Sequence, residues 1–311
     1  MTKTDKVFLV KKRNSIIELY RFIFAINVLK SHDFLPFKGN YFGFGRLSVE
    51  FFFILSGFLL VKSMQKHLDN PFLSSPATYK PFLAKFVDFM FSKVKAIWIP
   101  LVVAIPFNIA FCLLMNSDVN IWGFLWYVEK MFICFAVCFV VKYFIKDERK
   151  FIVITAMVAI TATIFNTLPE YYERGIVRAV MGISIGILAS YIPPLKLKKK
   201  GLIWLPLIPT LSAVLYMLIF GTNMITEKLL QVFLYPLMIY LTFQIKFENK
   251  CLNYLGSLSF GIYAFQCVVR PFPTLGINNV WILFGIIMAL AILEDALKRV
   301  IKYRKNRMLQ L

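Results

Sequence analysis

The chain has 311 residues, of which 59% are hydrophobic and 17% aromatic, and its mean hydropathy is +0.70. Soluble globular domains contain about 45–50% apolar residues, so the composition excludes an ordinary soluble protein and favours repeated membrane spans. The formal net charge of +20 at pH 7 could suggest a nucleic-acid partner, but the basic residues fall in alternate loops, which argues against one.

Ten apolar stretches are long enough to cross about 30 Å of hydrocarbon. We therefore predict an all-α fold, a polytopic membrane bundle of about ten transmembrane helices. A single integral-membrane domain is expected over 1–311, with its core at about 14–298 and a basic tail at 299–311. The predicted spans are 15–35, 47–66, 94–115, 121–145, 150–167, 175–192, 201–220, 228–246, 254–270 and 278–298.

The lysines and arginines indicate the topology. Of the 36, 25 lie in the two termini and in every second loop, whereas the intervening loops carry five. Because basic loops stay in the cytoplasm, both termini are predicted to be cytoplasmic. We expect a multi-pass protein of the plasma (inner) membrane, with membrane lipid and not nucleic acid as its partner.

The first predicted span contains two ionisable residues that are candidates for catalysis. Arg21 and His32 are eleven residues apart, which is about three helical turns, so they share one helix face. Asp33 follows His32, and Glu50 enters the second span at about the same predicted depth. A carboxylate beside a histidine can orient the imidazole and stabilise its protonated form, which is what a general base requires. An interfacial histidine and an arginine that reaches the inner headgroups are the alternative interpretation.

The third span is preceded by an inner loop that ends in an amphipathic, interfacial helix. Lys93 and Lys95 lie at its junction with the apolar run, where they could bind the phosphates of an anionic cytoplasmic donor. They could equally be markers of the inner membrane edge.

Polar and aromatic residues recur in the outer halves of later spans. Trp126, Tyr127 and Glu129 lie in the fourth span, and Arg178 lies near the outer end of the sixth. Charged groups at such a depth should face protein or water. The small-xxx-small spacing of glycines 182 and 186 predicts close helix packing.

These motifs resemble those of the acyltransferase-3 family of integral-membrane O-acyltransferases. The resemblance rests on ELYRFIFAINVLKSH, with its Arg-x10-His spacing, and on GRLSVEFFFILSGFLL, which keeps Ser56 within its Ser-Gly-Phe motif. It extends to LWYVEKM, RAVMGISIG and LGSLSFGIYAFQ. Gln266 stands where many members have a histidine, and KVKAIWIP replaces an arginine-rich motif.

The resemblance implies transfer of an acyl group, often acetyl, from cytoplasmic acyl-CoA to a hydroxyl of a surface polysaccharide or lipid-linked glycan. His32 would be the general base, Asp33 or Glu50 would orient it, and Arg21 would stabilise charge on the donor or oxyanion. Lys93 and Lys95 would bind the donor phosphates. The remaining candidates for substrate or donor binding are Ser56, Trp126, Tyr127, Glu129, Arg178 and Gln266.

Two other functions fit the sequence. A transporter or flippase for lipid-linked sugars would explain the spans and buried charges without chemistry, and Gln266 could mark a catalytically degenerate family member. With only two histidines in the chain, we expect no metal site. We also expect no tightly bound cofactor, because acyl-CoA would be a co-substrate.

Overall fold

The described part of the chain forms helices joined by turns and short irregular segments. The computed structural model describes residues 14–30, 45–70, 81–114, 121–171, 174–195, 205–206, 208–209, 211–212, 215, 224–269, 272–277 and 279–308. The helices are α1 (Ser15–Lys30), α2 (Gly45–Leu68), α3 (Pro81–Leu114), α4 (Ile121–Phe144), α5 (Glu148–Phe165), α6 (Gly175–Ser190), α7, α8 (Lys250–Val269) and α9 (Val280–Met308). Helix α7 consists of Met224–Leu229, a π-helical turn at Leu230–Leu234, and Tyr235–Phe243.

These helices confirm the all-helical prediction for the described residues. Within those residues, four helices are long and apolar enough to cross a membrane: Gly45–Leu68, Pro81–Leu114, Lys250–Val269 and Val280–Ile301. Gly175–Ser190 is a shorter apolar helix. The predicted seventh span, 201–220, falls mostly outside the described residues. The count of ten spans and the orientation of the termini stay predictions.

Helix α3 is longer than the span predicted at 94–115. It begins at Pro81, a residue suited to the first turn because its missing N–H has no helical partner there. It then continues through Pro100 and Pro106 for 34 residues, about 51 Å at 1.5 Å per residue. The predicted interfacial segment and the third span therefore form one helix. This helix is longer than the hydrocarbon core, which is about 30 Å thick.

The described residues pack as two compact units. The first contains most of α2, the start of α3, most of α4, and all of α5, α6 and α7; the second contains α1, the later part of α3, α8 and α9. The single domain over 1–311 stays a prediction.

Helices α2 and α6 approach each other closely in the first unit, and glycines permit it. A Cβ on Gly182 would lie 2.7 Å from the Cβ of Phe53, and one on Gly186 would collide with the backbone of Ile54. Gly57 of α2 lies in the same way against the backbone of α6. The predicted close packing at the small-xxx-small motif is therefore confirmed, and its partner is the second helix.

In the second unit, α8 lies between α1 and α9. The Ser15 hydroxyl at the start of α1 lies 2.9 Å from Oδ1 of Asn253, and it accepts a 2.6 Å hydrogen bond from the backbone N–H of Asn249. Further along, Glu18 of α1 contacts Gly256 of α8, so the two helices run in the same direction. The predicted topology requires this, because the first and the ninth of ten alternating spans cross the membrane in the same direction.

Candidate functional site

A buried ion pair joins α2 to α6 in the first unit. Nε of Arg178 donates a 2.5 Å hydrogen bond to Oε1 of Glu50. Glu50 is fully buried and Arg178 is 7% exposed. The guanidinium also lies over the indole of Trp126, 5.2 Å from the ring centroid. Three residues that the sequence singled out separately are thus brought together.

The local sequence explains how this pair forms. Arg178 lies one turn into α6, and the glycine-lined contact between α2 and α6 brings the two backbones close enough for a direct side-chain bond. Gly175 opens space at the start of α6, since a Cβ there would lie 2.8 Å from the Trp126 ring. A buried charge is tolerated only when it is paired and hydrogen-bonded, and this pair provides both.

Two other predicted residues lie on the same packed surface of α2 and α4. Tyr127 is buried, with its ring centroid 4.6 Å from that of Phe53. The Ser56 hydroxyl donates to Sδ of Met131 at 3.6 Å, a weak hydrogen bond. These contacts give both residues a packing role in the described structure.

Glu129 is separate from the buried ion pair. Its carboxylate accepts a 2.7 Å hydrogen bond from Nζ of the neighbouring Lys130, and both side chains are about one-third exposed. The adjacent acid and base therefore neutralise each other locally.

Lys93 and Lys95 have different surroundings. Nζ of Lys93 donates a 2.6 Å hydrogen bond to the Ser63 hydroxyl, and it lies 5.1 Å and 5.3 Å from the ring centroids of Phe89 and Phe135. Lys95, two residues further along α3, is exposed. A joint site for donor phosphates would need both lysines to reach one ligand, and it stays a prediction.

His67 links α2 to the early part of α3. Its Nδ1 lies 2.7 Å from Oδ2 of Asp88, and its ring meets the edge of Phe89. Nζ of Lys85 donates a 2.5 Å hydrogen bond to the carbonyl of Leu68, a favourable place for a cation because it is a helix C-terminus. These contacts give His67 a structural role in the last turn of α2.

In the second unit, Arg21 is paired with an acid on its own helix. Nη1 of Arg21 donates a 2.8 Å hydrogen bond to Oε2 of Glu18, three residues earlier. Glu18 is 7% exposed, whereas the Arg21 side chain keeps 32% of its surface accessible. Glu18 itself packs against Gly256, where a Cβ would overlap its side chain.

Gln266 lies in the same unit, near the end of α8. Its side chain is 7% exposed, and among the described residues no hydrogen-bond donor reaches its Oε1. A buried amide oxygen of this kind favours a ligand or water partner.

A model of the acyltransferase-3 family, described as an acyltransferase domain, matches residues 14–293. The chain belongs to the acyltransferase-3 family. It is therefore an acyltransferase with helices suited to a membrane, as the motifs predicted. No curated protein matches the chain, and no solved structure matches it either.

The acyltransferase-3 motif residues His32 and Asp33 lie outside the described residues, which end α1 at Lys30. The predicted contact between His32 and Glu50 is therefore untested. What the structure adds is that one carboxylate oxygen of Glu50 already accepts a bond from Arg178. Among the described residues, no group of three or more histidine, cysteine or acidic side chains could hold a metal ion.

Two features of this acyltransferase were not foreseen from the sequence. Glu18 is the first, although its position three residues before Arg21 is a standard spacing for a helical ion pair. The second is the π-helical turn of α7, which carries the buried Gln231 and leads into Tyr235. Such turns are frequent at functional sites, but the apolar sequence gives no signal for one.

Proposed function

We propose that this acyltransferase transfers an acyl group, in particular acetyl, from acyl-CoA to a hydroxyl of a surface polysaccharide or lipid-linked glycan. The family match over 14–293 carries the proposal, because the matched range includes the Arg-x10-His motif. Helices suited to a membrane support it, since they would let one protein take a donor from the cytoplasm and an acceptor from the other side. The plasma (inner) membrane is the proposed location.

The chemistry assigned to the first helix is acyl transfer by general-base catalysis. His32 takes the proton of the acceptor hydroxyl as that oxygen attacks the thioester carbonyl carbon. The tetrahedral intermediate collapses with cleavage of the carbon–sulfur bond, and the imidazolium returns the proton to the departing CoA thiolate. The products are an ester and free CoA.

The charged residues would stabilise the charges that develop in this reaction. Arg21 would face the donor carbonyl or the oxyanion, and Asp33 or Glu50 would stabilise the imidazolium. The partly accessible Arg21 side chain is compatible with this role, because a guanidinium carries five N–H donors and can bond a ligand as well as a neighbouring side chain.

Binding of the two substrates is assigned to the other predicted residues. Lys93 and Lys95 would meet the phosphates of acyl-CoA as charged donors. Ser56, Trp126, Tyr127, Glu129, Arg178 and Gln266 are the proposed contacts or supports for donor and acceptor. No tightly bound cofactor or metal takes part in this scheme.

The test compares the wild type with His32→Ala and Arg21→Ala in membranes, and measures CoA release and ester formation on the acceptor. We expect both variants to lose at least about 10²-fold in turnover, the scale of general acid–base and oxyanion contributions. His67→Gln is the control, because it changes the other histidine of the chain at a place with a structural contact.

Three outcomes would contradict the proposal in different ways. Equal turnover in the wild type and both alanine variants would remove the roles of His32 and Arg21. Movement of a glycan across the membrane without CoA release would favour the transporter alternative. Activity that appears only in Gln266→His would identify the natural chain as a degenerate member. Ester analysis of surface glycans from a deletion strain would identify the acceptor.

A further inference from the structure

The acid that contacts Arg21 has no role in the scheme above. Glu18 is almost fully buried in the second unit, and its Oε2 lies 2.8 Å from Nη1 of Arg21. An acid in the first turn of a helix could be explained by the helix dipole alone. That explanation requires only an acid near the N-terminus, and it accounts neither for the burial nor for the direction of the carboxylate.

The packing of α1 against α8 fixes the Glu18 side chain. Gly256 lies opposite Glu18, and a Cβ there would overlap the carboxylate and come within 2.7 Å of the Glu18 Cα. A glycine at this position therefore leaves the space that the carboxylate occupies. The contacts of Ser15 with Asn249 and Asn253, one turn earlier, hold the same two helices in register.

The two members of the pair differ in accessibility in a way that suits this arrangement. The Glu18 side chain is 9% exposed and fixed by its surroundings, whereas the Arg21 side chain is 32% exposed and projects from the same helix. A free arginine side chain has several rotatable bonds and loses up to about 2 kcal/mol of conformational freedom when it is ordered. A rigid carboxylate that holds one nitrogen removes part of that cost before a substrate arrives.

We propose that Glu18 is the positioning residue for Arg21. Gly256 provides the space for its carboxylate, which holds one nitrogen of the guanidinium and leaves the others for the acyl donor or the oxyanion. This inference rests on the proposed function, because it assigns to Glu18 the orientation of a group that acts in acyl transfer.

The test uses Glu18→Gln in the full-length protein, reconstituted in membranes. Glutamine keeps the size of the side chain and removes its charge. We expect kcat to fall about tenfold or more with little change in KM, since a displaced reacting group raises the barrier without removing the binding contacts. Glu18→Asp keeps the charge on a shorter arm and should recover part of the loss.

Glu294→Gln is the control. Glu294 is also a buried carboxylate of the second unit, it pairs with Lys298 four residues later, and it packs against Gly261 on α8. It undergoes the same chemical change without a contact to Arg21, so its kcat should match that of the wild type. If both glutamine variants lose the same activity, a general effect of neutralising buried acids explains the result and the proposal is overturned.

A second measurement reports the position of Arg21 without relying on turnover. Phenylglyoxal modifies arginine, and mass spectrometry of the peptides gives the rate at each site. We expect Glu18→Gln to raise the rate at Arg21 about tenfold, the order expected when a charge-assisted hydrogen bond becomes a neutral one. Arg299, which bonds Asp295 at 2.7 Å in the same unit, should not change.

The outcomes separate this proposal from the proposed function. A wild type without CoA release for any acceptor contradicts the proposed function, and the labelling rate then still decides whether Glu18 holds Arg21. An active wild type with unchanged kcat or unchanged labelling in Glu18→Gln overturns the role of Glu18 alone. Thermal unfolding of each variant identifies misfolding, and if Glu18→Gln is unfolded, Glu18→Asp decides by the same two measurements.

Discussion

Replacing one member of the Glu50–Arg178 pair should destabilise the protein strongly. Both groups are buried and joined at 2.5 Å, and breaking such a pair from one side costs about 3–5 kcal/mol. We expect Glu50→Gln near the lower value. Arg178→Gln should cost more, because it also removes the guanidinium from the Trp126 ring, a contact of about 2 kcal/mol when desolvated. At about 2–4 °C per kcal/mol, the midpoints should fall by roughly 6–20 °C.

Thermal unfolding of purified protein in detergent measures this effect. The double variant Glu50→Gln, Arg178→Gln should regain much of the loss, because it replaces two buried charges by two amides. Glu129→Gln is the control, since its pair with Lys130 is partly exposed and contributes about 0–1 kcal/mol. A Glu50→Gln midpoint equal to that of Glu129→Gln, or a double variant no more stable than the single ones, would refute the interpretation of the pair.

Two further predictions concern packing and helix capping. Gly186→Ala should destabilise the protein by about 1–3 kcal/mol, since the new methyl group meets the α2 backbone. Gly285→Ala is the control, because the space around Gly285 is open. Equal thermal unfolding midpoints for the two variants would contradict this prediction. Hydrogen bonds from the backbone N–H groups of Arg149 and Lys150 lower the pKa of Asp147, the N-cap of α5. This stabilisation is present above the ordinary pKa of an aspartate and is lost as the pH falls through the lowered pKa. Asp147→Ala should therefore be less stable than the wild type at pH 7 but not at strongly acidic pH, whereas Asp147→Asn should cap α5 at both pH values. Thermal unfolding midpoints measured as a function of pH test this prediction. A loss of stability in Asp147→Ala that does not change with pH would contradict it.

The sequence predicted the helices well where apolar length decides them. The second span was predicted at 47–66 and α2 is Gly45–Leu68; the fifth was predicted at 150–167 and α5 is Glu148–Phe165. Apolar length does not predict where a helix ends when the helix continues into a charged segment. The predicted tenth span is 278–298 and α9 runs to Met308, since the lysines and arginines that follow the span are good helix formers.

The candidate site was predictable in composition but not in its pairings. Arg178 and Glu50 were each selected because charged residues are rare inside membranes. Their contact joins residues 128 positions apart, and which two helices meet is decided by tertiary packing. The glycines at 182 and 186 predicted that α6 packs closely against a neighbour, but their spacing does not identify α2. Glu18, by contrast, could have been paired with Arg21 from spacing alone.

The two arginine pairs suggest how ionisable residues are accommodated in this fold. In each unit, an arginine from a family motif meets a more deeply buried carboxylate, and a glycine contact between two helices provides the close approach. A neutral pair costs much less to place in hydrocarbon than an isolated charge. Arg178 is 7% exposed and is thereby committed to its carboxylate, whereas the Arg21 side chain keeps about a third of its surface accessible. Because a catalytic group must both be held and reach a ligand, the second arrangement suits chemistry and the first suits support of the helices around it.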